Sequence, residues 1–118
     1  MRIVSCISPA LLAACLPFAA AAHQPTYAEC LEASDFIGNA ARSRDNGMER
    51  ADFVGRLKGD ILAIQAYPAH LRWFVQDPDD AEFLIDETEA VFEVREQPET
   101  HQAQFFKRCT ARMDGRPT

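Results

Sequence analysis

From Thr26 to Gly47 the chain spells out one complete helix, with its start, its buried side and its stop all legible. Thr26 followed by Glu29 forms a capping box: the hydroxyl accepts from the Glu29 amide, and the Glu29 carboxylate accepts from the Thr26 amide. Pro25 stands just outside, where a missing N–H costs nothing. Tyr27, Cys30, Ala33, Ile37, Ala40 and Ala41 recur at helical spacing and define the inward side. Asp45-Asn46-Gly47 closes the segment, because Asn and Gly tolerate the left-handed conformation that ends helices. Cys30 lies one turn in on the apolar stripe, so this helix is committed to whatever element carries its partner cysteine.

The residues before it read as an export signal. Arg2 is a minimal positive start, Ile3 to Phe18 carries no charge, and Ala20-Ala21-Ala22 offers the small residues a signal peptidase accepts. Ser5, Ser8, Pro9 and Pro17 interrupt the run and weaken a membrane-span reading. Cleavage after Ala22 is expected, giving a periplasmic or secreted protein. The competing reading is a lipoprotein: Leu12-Ala13-Ala14-Cys15 fits a lipobox, which would leave a lipid anchor at Cys15. Against it, the residues after Cys15 continue the hydrophobic segment instead of forming a polar tether.

Removing residues 1–22 leaves residues 23–118 as one domain of about 96 residues, small enough for a crosslink to matter. Cys6 and Cys15 go, and Cys30 and Cys109 remain as an even pair in an oxidising compartment. Loss of Arg2 turns 12 basic residues into 11 against 18 acidic ones, so the formal charge moves from −6 to −7. That balance argues against a nucleic-acid partner.

Further helices follow in order. Phe53, Leu57, Ile61 and Ile64, flanked by Val54, form an apolar stripe in a segment running to about Ala66. Ala51, Gly55, Gly59 and Ala63 make a second row, expected to pack closely on a smooth face; the alternative is a groove for a partner helix. Pro68 biases Tyr67 away from helical angles and ends this helix. A short helix is expected over PAHLRWFVQ, with Leu71, Phe74 and Val75 inward. Asp77-Pro78 restarts the chain as N-cap and first helical residue, with Asp79 and Asp80 complementing the helix dipole.

The helix from Pro78 to about Glu96 is expected to bury Ala81, Leu84, Ile85, Thr88, Val91 and Phe92, with Asp79, Glu82, Asp86, Glu89, Glu93 and Glu96 along its other side. From Asp77 to Glu99 ten acidic residues face one basic residue, Arg95. Pro98 opens the last helix, whose apolar side is Phe105, Phe106, Cys109 and Met113. The whole is an all-α bundle of four main helices plus one short helix, with no sustained strand alternation. A Cys30–Cys109 disulfide would join its first and last helices, at a chain-entropy gain of roughly 4–5 kcal/mol for a loop of about 80 residues. The rival state is a pair of free buried thiols.

Chemistry is hard to find in this chain. It has no HExxH, CxxC, GxSxG or phosphate-cradling glycine loop. His23, His70 and His101 lack a ligand spacing, so no metal and no cofactor is expected, and each histidine reads as solvated or hydrogen-bonded. Oxidised cysteines cannot serve as nucleophiles. The acidic run lacks the glycine and ligand spacing of a calcium loop. The expectation is that the protein is not an enzyme.

The run Ala41-Arg42-Ser43-Arg44-Asp45-Asn46-Gly47 after a first-helix cysteine, with Phe105-Phe106-Lys107-Arg108-Cys109 at the far end, resembles small exported helical proteins of Gram-negative bacteria that carry no assigned activity. The resemblance implies the envelope and a helical fold, and transfers no catalytic residue. Immunity proteins against envelope-directed toxins are similar in size, cysteine clamp and helical content, although their specific motifs are not found here.

The leading expectation is therefore a non-catalytic periplasmic binding protein, inhibitor-like or immunity-like, with a protein partner in the envelope. The alternative is an acid- or stress-linked chaperone, opened by protonation of its clustered carboxylates. Candidate partner-binding residues are Trp73, as core or interface anchor, and Glu82, Asp86, Glu89 and Glu93, as a wet face or a stripe for a basic partner. Lys107, Arg108 and Arg112 are candidates to answer part of that charge from within.

Overall fold

Thr26 opens the first helix as expected: its Oγ1 accepts from the Glu29 amide at 3.1 Å, and Glu29 Oε1 accepts from the Thr26 amide at 2.9 Å. The computed structural model describes residues 23–114. Among them are α1 (Tyr27–Asp45), α2 (Arg50–Ile64), a single 3-10 turn (Ala69–Leu71), α3 (Pro78–Glu93) and α4 (Pro98–Met113). The described residues contain no strand, and none of their helices is long and apolar enough to cross a membrane.

The architecture is a helical bundle organised on α1. This helix packs most extensively against α4 and also meets α3, while α2 covers α3. Its buried residues are Cys30, Ala33, Ser34, Ile37, Gly38, Ala40, Ala41 and Arg44. Small residues predominate in that set, which lets the α4 backbone come close. Gly38 lies in the contact, where a Cβ would stand 2.6 Å from Gln102 Oε1. Tyr27 departs from the expected stripe: it is exposed and meets the edge of Phe106 at 5.4 Å between ring centroids.

Cys30 and Cys109 form the disulfide, with Cα atoms 5.7 Å apart. Such a crosslink fits an oxidising compartment outside the cytoplasm. Around it the core is aromatic. Phe74 stands 6.2 Å from both Phe83 and Phe105, which are 5.4 Å from each other. A second row, Phe36–Phe53–Phe92, ties α1 to α2 and α3. Phe74 and Phe105 are fully buried, which contributes roughly 1.5–3 kcal/mol for each.

The segment between α2 and α3 differs from expectation. Only Ala69–Leu71 is helical, and Leu71 points outward instead of joining Phe74 and Val75, which are fully buried. The break falls at Trp73, which has φ 61°. A bulky residue in the left-handed region costs roughly 1–2 kcal/mol and ends a right-handed helix. One bond to α1 and one within the segment hold the turn. Trp73 Nε1 donates to Glu32 at 2.9 Å, and Arg72 Nε donates to the Tyr67 carbonyl at 2.6 Å.

The row of small residues on α2 also corrects the reading above. Ala51, Gly55, Gly59 and Ala63 all face outward, and a Cβ added at Gly55 or Gly59 would meet nothing within 4 Å. No helix of the bundle packs on them. Helix α3 ends at Glu93 instead of Glu96, and it buries Asp80 and Phe83 in addition to Leu84, Thr88 and Val91.

Candidate functional site

The Asp77-Pro78 start of α3 sets the geometry of a polar junction inside the bundle. Asp77 is extended, and its Oδ1 accepts from the Asp80 amide at 2.9 Å. The first turn thereby points Asp80 inward, where it is fully buried. An isolated carboxylate there would be very costly, so its partners decide whether the site is tolerable.

Three separate segments supply those partners. Before α1, His23 Nδ1 lies 2.7 Å from Asp80 Oδ2. From the turn before α3, the Gln76 amide donates to the same oxygen at 3.0 Å. From α4, Arg112 Nη2 donates to Oδ1 at 3.4 Å. The Arg112 guanidinium lies 4.4 Å over the Phe83 ring, a cation–π arrangement, and its Nε has no hydrogen-bond partner.

His23 extends the junction. Its Nε2 lies 3.2 Å from Glu29 Oε1, the oxygen that also closes the capping box. Its backbone N–H donates to Asp77 Oδ2 at 2.9 Å. Carboxylate oxygens only accept, so the ring satisfies both of its carboxylates at once only when both nitrogens carry protons. Gln76 Nε2 adds a bond to Glu29 Oε2 at 3.4 Å. The Asp77 carboxyl is held below its usual range. Burial pushes it upward, but amide bonds from Asp80 and His23 and the nearby His23 charge outweigh that.

Chemically, the junction ties the chain's start to α1, α3 and α4 through hydrogen bonds to carboxylates. Both His23 nitrogens are engaged, and the adjacent hydroxyl, that of Thr26, is an acceptor in its helix cap. Among the described residues no group of three or more His, Cys, Asp and Glu side chains is placed to hold a metal ion. Beside the junction, Asp79, Glu82, Phe83, Asp86 and Arg112 line an open hollow of about 310 Å³.

The acidic stripe of α3 is divided. Arg50 of α2 binds Glu89 and reaches Glu93 at 3.4 Å. Of the α4 cations expected to face the stripe, Arg108 Nε donates to Glu87 at 2.9 Å, while Arg112 reaches Asp80 and shares the hollow with Asp79, Glu82 and Asp86. Glu82 and Asp86 stay exposed. Trp73 is half-buried on Phe36 and Phe74, between the core and anchor expectations. His70 is exposed, while His101 is buried with Nε2 2.8 Å from the Val94 carbonyl.

Sequence reasoning missed Asp80, His23 as its partner, and buried Arg44. Arg44 donates to the Val91 carbonyl in the last turn of α3 at 2.7 Å and to the Glu96 carbonyl just beyond it at 2.8 Å. The signal available for Arg44 was its place at the C-terminal end of an otherwise apolar stripe. Compared with known proteins, the chain matches no protein-family description, no curated protein and no solved structure.

Proposed function

We propose that this chain is an exported, non-catalytic binding protein of the inhibitor or immunity kind, acting on a protein partner in the cell envelope. Leu62, Tyr67 and Leu71 carry the reading. These three large apolar side chains come from one short segment at the end of α2, and they are 75%, 56% and 60% exposed. The three lie within ten positions of one another in the chain, and large apolar side chains that a fold leaves outside favour a contact surface. The segment is held in shape by Arg72, which bonds Tyr67 and Gln65, so the surface is presented on a fixed scaffold. The exposed Glu82 and Asp86 supply charge that would steer a basic partner.

Export rests on residues 1–22, which lie outside the described residues. N-terminal sequencing of envelope-fraction protein should begin at His23; a start at lipidated Cys15 would overturn cleavage after Ala22. For binding, the mature protein is used to capture partners from envelope extract beside a Leu62→Ser, Tyr67→Ser, Leu71→Ser variant. The variant should keep its melting temperature and lose the captured protein. Equal capture by both proteins would remove the apolar corner from the proposal.

A further inference from the structure

We propose that Asp77 receives the α-ammonium group created when the Ala22–His23 bond is hydrolysed, in a socket that already holds the His23 side chain. The inference rests on the export reading. In the hydrolysis, catalysed by a signal peptidase, water adds across the peptide bond. Ala22 leaves with a carboxylate, and the His23 nitrogen gains the protons that turn its single N–H into an ammonium.

The socket is built around that nitrogen. In the uncleaved chain the His23 N–H donates to Asp77 Oδ2 at 2.9 Å. Asp77 divides its two oxygens between tasks: Oδ1 caps α3 through the Asp80 amide, and Oδ2 takes His23. The imidazole fixes the residue independently, through Asp80 Oδ2 at 2.7 Å and Glu29 Oε1 at 3.2 Å. Pro25 is buried, so the backbone that follows is seated as well.

Cleavage therefore changes the charge of a nitrogen already in place and requires no new docking. The charged groups joined in the socket are Glu29 from α1, Asp77 and Asp80 from the start of α3, the His23 ring, and Arg112 from α4 on the far oxygen of Asp80. Three carboxylates beside one guanidinium and one imidazole leave the site acidic, and an added ammonium is favoured there. Processing thus tightens the junction that joins the chain's start to α1, α3 and α4. The precursor, with a neutral amide at the same position, lacks that charge.

The test is a titration of the mature chain beginning at His23, with the α-amino nitrogen labelled and followed by NMR. An ordinary α-amino group titrates at about 7.7–8.0. Here it should titrate about one pH unit higher, and return to the ordinary range in Asp77→Asn, which keeps a good helix cap. A folded value raised above the unfolded one means stabilisation that is complete below about pH 7.7 and lost as pH rises through the folded value. The α-N-acetylated chain should accordingly melt lower than the free-amine chain at pH 7, with the gap closing at high pH. An α-amino group that titrates in the ordinary range in the native mature chain overturns the socket. If exported protein starts at another residue, the processing step fails while the titration still reports on the socket by itself.

Discussion

Arg44 Nη1, on the last turn of α1, donates to the Val91 carbonyl near the end of α3 at 2.7 Å. The same guanidinium bonds the Glu96 carbonyl and Asp45, so one buried cation closes the end of a helix two elements away in the chain. Arg44→Met should keep the apolar volume of the stem and strand these acceptors. The expected loss is about 1–3 kcal/mol for each buried acceptor left unpaired. Urea unfolding measures it, and an unchanged midpoint would show that water replaces the guanidinium.

The disulfide should show no free thiol in the native mature protein. Its reduction, or Cys30→Ser with Cys109→Ser, should cost up to about 4–5 kcal/mol on the chain-entropy account. Thermal melting with and without reductant reads this directly. Labelling of both cysteines by a thiol reagent in the absence of denaturant would contradict the bond.

Asp77 should contribute to acid sensitivity. Its folded carboxyl titrates below its unfolded value of about 3.9. Its stabilisation is therefore present above about pH 4 and lost as pH falls through the lowered folded value. A plot of unfolding midpoint against pH should be flatter below pH 4 in Asp77→Asn than in the parent. Parallel curves would assign the acid response to other carboxylates.

Gly55 and Gly59 lie inside α2 with open space where a Cβ would go. Gly55→Ala and Gly59→Ala should each stabilise the protein by about 0.5–1 kcal/mol, through helix propensity and a less free unfolded chain. If the α2 face serves a partner helix, the same changes will weaken that partner's binding while raising the melting temperature. Equilibrium unfolding of the two single variants decides the stability part.

The elements were legible where local rules act alone. Thr26 with Glu29 and Asp77 with Asp80 mark helix starts through contacts within one turn, and Pro98 marks one through its fixed φ. Cys30 and Cys109 were legible as the remaining even pair. The polar junction was not, because Asp80 in sequence is one more acid in the first turn of an acidic helix. Its burial follows from His23, Gln76 and Arg112, which reach it from three other segments. Leu71 was misread because helical spacing was extended through Trp73, whose left-handed backbone changes which side faces in. Gly55 and Gly59 suggested close packing, yet spacing alone does not say whether a neighbour is present.

The bond between Cys30 and Cys109 also decides how the molecule bears load. Their Cα atoms are 5.7 Å apart although 79 positions separate them in the chain. A pulling force applied to the two ends enters at Cys30, crosses one covalent bond and leaves at Cys109. The helices between carry no tension, and the extension available is limited to the chain outside the pair. After reduction the same force would unravel the whole intervening loop, so the redox state of a single bond sets whether the protein behaves as a rivet or as a string.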